Sequence, residues 1–521
     1  MLPNQTFIPA ELLGDLTTAS NFVRTTWMTV RSDHQKAAKY FSGDIFKDKV
    51  EIENGEGGEP LLYPVGVNLV KMMVLSMTDA AFGEWESGRQ IVLFQTAAAD
   101  ALDKSGASAA EFASKILDDS NGASLLWEVE LDRNLMGGGV MRIASKLSNA
   151  THLSWTKIPI DGFYPVFDPE DPNIIIECWY ISQVSPEQAL QVYGVATSGK
   201  DYLIRVEHWT RSVYETTLDG TRIDLYSGAN PYGVVPFVYI PRLRTLDWWG
   251  DSLAKDIYSV QDELNSRLAD IGDALNYHSH PVFYGKNLPK TFNTKNYPIT
   301  PWALWDFGRQ IGANAAAAPE VGILESKNAV SPQAFEYIQF LYDWARTSTF
   351  SPPIAFGDDN GGGQRSGDTL EIRLWPLLKA LRRSRAYMTA GLRQALYISG
   401  CILAQKEFTD VPKEIIGSLL GKKLTPKYHN TLPRDQKAVV DEVVKLMSTT
   451  PPSISPETAQ VLLGRGLGEV SKIVNFLEML ADDEKEVKGI EIVQGKQKPE
   501  PGNIPGQKPN SSADTIPASK E

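Results

Sequence analysis

The sequence predicts an α+β protein, on three observations. From about 155 to 240 the chain is rich in β-branched and aromatic residues, broken by turn signals. After Trp249 the pattern changes to apolar residues at helical spacing, sustained over tens of residues. Between two β-rich runs stands Asp219-Gly220, a pair that favours a tight hairpin turn. The chain has 521 residues, enough for three or four domains at about 150 residues each.

The N-terminal part reads as mainly helical. Residues 20–50 mix polar and aromatic side chains, and Asn54-Gly55-Glu56-Gly57-Gly58 is a loop. Val67, Val70, Val74 and Met77 lie near helical spacing, and further helices are predicted over Ser108–Ile116 and Ser124–Met136. Gly137-Gly138-Gly139 then interrupts the chain. A phosphate-binding loop needs Lys-Ser or Lys-Thr at the following helix start, and none is there, so a structural turn is expected.

Strands are predicted around Ile174–Ile176, Cys178–Ile181, Leu203–Tyr214 and Arg222–Tyr226. A further strand over Val234–Pro241 is placed at a sheet edge by its prolines.

Beyond Trp249-Gly250-Asp251-Ser252, the residues Leu253, Ile257, Val260, Leu264, Leu268, Ile271 and Leu275 form one apolar stripe. Asp251 or Ser252 can cap the start, and Pro281 ends the helix. About 28 residues make a rod of roughly 42 Å. Its other faces carry Asp256, Asp262, Glu263, Asp270 and Asp273 against Lys255 and Arg267. Residues 285–330 are an insertion rich in Pro, Asn, Trp and Ala, in which Trp302, Trp305 and Phe307 offer a small core or a docking surface. Ser331-Pro332 opens a second helix, with Phe335, Ile338, Leu341, Tyr342 and Ala345 along it.

Ser351-Pro352-Pro353 breaks that helix. Gly357, Asp358, Asp359, Asn360, Gly361, Gly362, Gly363, Gln364 and Arg365 follow as a glycine-rich loop expected to change shape easily. A third long helix over 368–400 carries Leu370, Leu374, Leu377, Leu381, Met388, Leu392 and Leu396. Pro376 is expected to kink it or end a first segment. Lys379, Arg382, Arg383, Arg385 and Arg393 make it basic. Amphipathic helices are expected over Arg434–Met447, from Ser455-Pro456 and over Val470–Lys485, and the polar tail is expected to be disordered.

Composition narrows the function. Lys plus Arg number 51 and Asp plus Glu 64, for a net charge of −13. A tight DNA clamp carries a basic excess to neutralise phosphates, so DNA met by this chain is expected to slide rather than be gripped. Cys178 and Cys401 are too few and too far apart for a disulfide framework or a zinc site, and read as small core residues. His278-Ser279-His280 lacks further ligands nearby, and Asp358-Asp359 lacks a partner base, so neither is read as a metal or catalytic site. No Walker-type loop and no Gly-x-Ser-x-Gly elbow is present. No apolar run is long enough to span a membrane, and the first residues lack signal-peptide features, so synthesis in the cytoplasm is expected.

Several pieces, in their order, resemble the portal (head–tail connector) family of tailed double-stranded DNA bacteriophages, of the long-tailed type. They are Pro236–Pro241, then Trp249-Gly250-Asp251-Ser252, then Gln261-Asp262-Glu263-Leu264-Asn265. Ser366-Gly367 before the basic helix is another, and Asn430-Thr431-Leu432-Pro433-Arg434-Asp435 followed by Ser455–Ala459 is the last. The resemblance covers roughly 60–480. It implies a dodecameric ring at a unique capsid vertex of the virion, a channel for genome packaging and ejection, with no catalysis and no cofactor.

In that scheme residues 1–250 form the wing. The first stem helix is 251–284, the clip 285–330 and the second stem helix 331–350. The tunnel loop is 351–367, the long wing helix 368–400, the crown 401–485 and the tail 486–521. The implied partners are double-stranded DNA, the terminase large subunit, a head-completion or adaptor protein, and the major capsid and scaffold proteins. Asp256, Asp262, Glu263, Asp270 and Asp273 are the candidate channel lining, where acids repel phosphate and lower friction. Trp302, Trp305 and Phe307 are the candidate clip contacts. Arg365 can meet a phosphate or bridge to a neighbouring subunit, and the basic helix can pair with acids of adjacent subunits or touch DNA. Two rivals stand beside this reading: another structural virion adaptor, and a nucleic-acid-processing enzyme.

Overall fold

The structure, a computed structural model, describes residues 27–45, 66–83, 91–96, 104–196, 199, 201–244, 249–279, 282–286, 320–324, 331–357, 367–406, 408, 410–429, 431 and 445. All but the last lie in a compact unit that runs to Pro433; a second unit spans Arg434–Glu521. Apart from Lys445, the crown helices expected beyond Pro433, the tail and the Asn54–Gly58 loop lie outside the described residues.

In chain order the elements begin with α1 (Met28–Ser42), α2 (Leu69–Ala81), β1 (Val92–Thr96), α3 (Lys104–Asp119), α4 (Gly122–Met136), β2 (Gly138–Ser145), β3 (Leu153–Ile158) and β4 (Phe163–Phe167). Next come β5 (Ile175–Val184), α5 (Pro186–Tyr193), β6 (Leu203–Thr210), β7 (Val213–Leu218), β8 (Thr221–Arg222), β9 (Gly228–Ala229) and β10 (Phe237–Pro241). The remainder are α6 (Tyr258–Ser279), β11 (Val282–Lys286), β12 (Glu320–Leu324), α7 (Pro332–Ser348), α8 (Gly367–Lys406), α9 (Lys413–Leu420) and β13 (Leu424–Tyr428). The protein is mixed α and β, as the sequence predicts.

A three-stranded antiparallel sheet, ordered β10-β2-β3, divides the core into two layers. Strand alternation sends successive side chains to opposite faces. Val238 and Ile240 of β10, with Met141 and Ile143 of β2, join the main helical core. Phe237 and Tyr239, with Val140, face the other way into a second core with Phe163, Phe167 and Trp209. The second core is the inner face of the antiparallel sheet β4-β5-β6-β7-β8, with β9 added beside β7. β10 holds an edge, where Pro241 sacrifices no ladder bond inside the sheet. Asp219 (φ +46°) and Gly220 (φ +81°) form the turn between β7 and β8, both left-handed as a tight hairpin requires.

The glycine triplet differs from its expected role as a turn. Gly137 (φ +91°) caps the C-terminus of α4, but Gly138 and Gly139 already belong to β2. The reason is a neighbour far away in sequence. A Cβ on Gly137 would sit 2.5 Å from the Gly250 carbonyl oxygen, and one on Gly250 (φ +89°) would sit 2.6 Å from the Gly137 carbonyl oxygen. Gly137 alone meets the Gly250 segment; a Cβ on Gly138 would meet the Tyr239 ring of β10, and one on Gly139 would meet Val129 and Arg133 of α4.

α8 runs through Pro376 as one helix of 40 residues. Proline there leaves the Ile372 carbonyl without its intrahelical donor. Both Ile372 and Pro376 are exposed, so water can take that carbonyl. The helix also passes the expected end at 400. It continues to Lys406, α9 packs back on it, and β13 pairs with β1 within the main core. The contiguous core thus extends beyond 401, where the crown was expected to begin. Cys178 is buried and Cys401 partly so, and both are free thiols.

Candidate functional site

α6 and α7 form an antiparallel pair whose burial fades with distance from the body. On α6, Val260 and Leu264 are buried, Leu268 is partly buried and Leu275 is exposed. On α7 the order is reversed: Phe335, Tyr337 and Phe340 are exposed, and Leu341 and Ala345 are buried. The C-terminal half of α7 and the N-terminal half of α6 are therefore the root, and the other ends project. At the projecting end β11 leaves α6 and β12 enters α7, paired antiparallel with Lys286 opposite Glu320. The insertion between them starts and finishes at one place. Trp302, Trp305 and Phe307 fall within it and lie outside the described residues.

The root is built by polar side chains of α6. Gln261, fully buried, accepts from the N–H groups of Leu69 (2.6 Å) and Val70 (3.2 Å) and donates to the Val67 carbonyl. One turn on, Asn265 accepts from the Val67 N–H at 3.0 Å. The two side chains, four residues apart on one helical face, satisfy N–H groups at the start of α2 that have no partner within that helix. Asp262 accepts from Tyr40 Oη at 2.8 Å, and Tyr40 stacks on Tyr258 with ring centroids 4.2 Å apart. Glu263 accepts from Arg267 at 2.8 Å and from Tyr337 Oη of α7 at 3.3 Å.

α6 is entered through a docking segment. Tyr239 donates its hydroxyl to the Trp249 carbonyl, and Ser252 donates to the Leu135 carbonyl at the end of α4. The Leu253 N–H bonds the Asn134 carbonyl at 2.9 Å. A 3-10 turn at Ala254–Asp256 follows, which is why the α-helix proper begins only at Tyr258. His34 of α1 is buried against the Trp249 ring, and burial pushes its imidazole down to about 4, against the opposing pull of Asp161 and Asp33.

The five acids placed on this helix are thus not equivalent. Asp262 is committed to Tyr40 inside the subunit. Glu263 is half-buried between Arg267 and Tyr337. Asp270 is exposed and paired with Arg267 at 3.0 Å. Asp256 lies in the turn before the helix, where partial burial raises its carboxyl above the usual range against the pull of Arg242. Asp273 lies on α6 beyond Asp270.

α8 is fixed to the body by a buried ion pair. Arg133 and Glu130 of α4, both fully buried, pair with each other. Arg133 donates to the carbonyls of Pro241 (3.1 Å) and Ser384 (3.0 Å), and the Ser384 hydroxyl donates to Glu130 at 2.8 Å. One pair therefore joins α4, β10 and the middle of α8. Further along, Trp155 of β3 donates to the Ser399 hydroxyl at 3.0 Å. Beside the pair, burial pushes the Asp132 carboxyl up to about 6 despite Lys157 at 3.1 Å.

Between α7 and α8, residues Pro353–Phe356 make a 3-10 turn that closes on Gly357 (φ +78°). The rest of the predicted loop, Asp358, Asp359, Asn360, Gly361, Gly362, Gly363, Gln364 and Arg365, lies outside the described residues, as does His280. Among the described residues no three His, Cys, Asp or Glu side chains gather closely enough to hold a metal ion, and no helix is long and apolar enough to cross a membrane.

Gln261–Asn265 is legible in the sequence as a motif, but its use at the start of α2 is not. The exposed aromatic stripe of α7 has a signal in the sequence, Tyr337, Phe340 and Trp344 at spacings of three and four. No known protein family matches this chain, and no curated protein matches it.

Proposed function

We propose that this chain is the subunit of a portal-like ring, a channel at one capsid vertex through which double-stranded DNA is packaged and ejected. The observation that carries the reading is the α6–α7 pair. Its root is locked into the body by Gln261, Asn265 and Asp262, while its far end projects and carries an insertion that leaves and returns through β11 and β12. A ring of such projections makes a tube with the insertions at its rim, suited to docking the terminase and a head-completion or adaptor protein. α8, 40 residues long and held at Ser384, gives each subunit a rigid beam behind the glycine-rich segment. The exposed acid Asp270 supports a channel surface that repels phosphate, tempered by Arg267 beside it. The role is structural, and ATP-driven work belongs to a separate motor.

Negative-stain electron microscopy of the purified full-length protein tests this. Closed rings of about twelve subunits with a hole that admits duplex DNA are expected. Monomers, dimers or open filaments at every salt concentration tried would overturn the reading and bring the enzyme alternative forward.

A further inference from the structure

Two helices each leave one stripe uncovered. On α7, Glu336, Tyr337, Phe340, Asp343 and Trp344 are exposed and share a face, since residues three, four and seven apart align on a helix. The apolar members are not marginal: Tyr337 is 41%, Phe340 57% and Trp344 54% exposed. Their rings already form a row, with centroids 6.4 Å apart from Tyr337 to Phe340 and 6.2 Å from Phe340 to Trp344.

On the first half of α8, Ile372, Trp375, Lys379, Arg382 and Arg383 share a second exposed face. Ile372 is 72% and Trp375 42% exposed. Lys379 and Arg382 sit over the Trp375 ring at 5.2 and 5.6 Å, and Arg383 over Phe350 at 5.1 Å.

The two stripes match in kind and oppose in charge. The α7 stripe has three aromatic rings at its centre, and the α8 stripe offers Ile372 and the broad face of Trp375. The α7 stripe carries Glu336 and Asp343 and no base; the nearby Arg346, which meets Asp343 at 3.8 Å, is largely buried. The α8 stripe carries Lys379, Arg382 and Arg383. Large apolar patches on a protein surface mark interaction sites, and opposite charges around them fix the partner and the orientation. A DNA role for the α8 stripe alone would leave the α7 stripe unexplained.

We infer that the α7 stripe of one copy of this chain docks on the α8 stripe of the next. The contact uses two different surfaces, so it is head-to-tail, and it repeats around a ring or along a filament rather than stopping at a pair. Closure into a ring rests on the portal reading above; the contact itself rests on the two stripes.

Charge exchange tests it. One variant carries Glu336→Lys and Asp343→Lys, and is basic on both stripes. A second carries Lys379→Glu, Arg382→Glu and Arg383→Glu, and is acidic on both. Sedimentation velocity and negative-stain images are recorded for the native chain, each variant, and an equimolar mixture of the variants. Expected are assemblies from the native chain, loss of at least nine-tenths of them in each variant alone, and recovery in the mixture, where copies alternate. Native rings that persist in both variants would overturn this contact and leave the ring reading standing. Native filaments that dissolve and recover in the same pattern would uphold the contact and overturn the ring. A native chain that stays monomeric would overturn both. Variants that assemble normally while the acidic one no longer retains duplex DNA would assign the α8 stripe to nucleic acid and overturn the docking.

Discussion

Gln261 Oε1 accepts a hydrogen bond from the Leu69 N–H at 2.6 Å, joining residues 192 positions apart in the sequence. The same amide serves Val70 and Val67, so one side chain in the first turns of α6 takes up the N–H groups of Leu69 and Val70, while the Asn68 cap of α2 takes that of Lys71. Gln261→Ala removes all three bonds from a buried place. A loss of about 2–3 kcal/mol is expected, because the bared N–H groups have no water to turn to. Asn265→Ala, at the more exposed end of the same interaction, is expected to cost about 0.5–1 kcal/mol. Urea denaturation followed by circular dichroism would rank them.

The Glu130–Arg133 pair gives a sharper test. Arg133→Met is expected to cost about 3–5 kcal/mol, since it strands a buried carboxylate and two backbone carbonyls. The double change Glu130→Gln with Arg133→Met should cost less than Arg133→Met alone. If it costs the full sum of the two single changes, the two residues are not acting as a unit.

Gly137 and Gly250 should refuse any side chain. Each combines a positive φ with a carbonyl oxygen of the other segment within 2.6 Å of a would-be Cβ. Gly194, also at positive φ (+70°), has open space around it. Gly194→Ala should therefore show only the backbone cost, about 1 kcal/mol. Gly137→Ala and Gly250→Ala should each lower the thermal midpoint several times further.

Two buried groups make opposite demands on pH. His34 is held neutral, its pKa lowered to about 4, so its share of stability is complete above about 6.5 and is lost as pH falls through 4. Asp132 is held protonated more than usual, its pKa raised to about 6, so its share is complete below about 4 and is lost as pH rises through 6. Each swing is roughly 3 kcal/mol, and between pH 4 and 6 they oppose each other. Asp132→Asn should therefore lose stability more steeply than the native chain on acidification over that range, and His34→Gln less steeply. Urea midpoints from pH 4 to 7 would reveal the divergence; parallel curves would contradict it.

The glycine-rich segment can be tested within the portal reading. Deletion of Gly361–Gly363 is expected to leave rings intact in electron micrographs while in vitro packaging of DNA falls sharply. Normal packaging by the deleted chain would remove this segment from the channel's working parts.

What the sequence disclosed depended on the range of the interaction involved. The turn at Asp219-Gly220 and the edge position of Phe237–Pro241 were legible because each follows from adjacent residues. The stripe from Leu253 to Leu275 was legible as a helix, yet nothing in it showed that burial would end near Leu268. Ser185-Pro186-Glu187-Gln188 held a local signal that was overlooked: Ser185 and Gln188 form a capping box at the start of α5. Of the glycine triplet only Gly137 makes the expected turn, and the carbonyl that excludes a Cβ there belongs to Gly250, far away in sequence. Asp262 reads as one of the candidate channel-lining acids, although its partner is Tyr40, 222 positions away. Pairing of β1 with β13 joins Val92 to Tyr428, and no local pattern announces it.

Beyond Ser384 α8 is clamped, with Leu392, Ala395, Leu396, Ile402 and Leu403 in the core, whereas Ile372, Trp375 and Pro376 before it are exposed, so the helix is a cantilever. Ser384 lies 17 residues from Gly367 and 22 from Lys406, or about 26 and 33 Å along the rod. A one-degree bend at Ser384 would move the Gly367 end by roughly 0.5 Å and leave the clamped half in place.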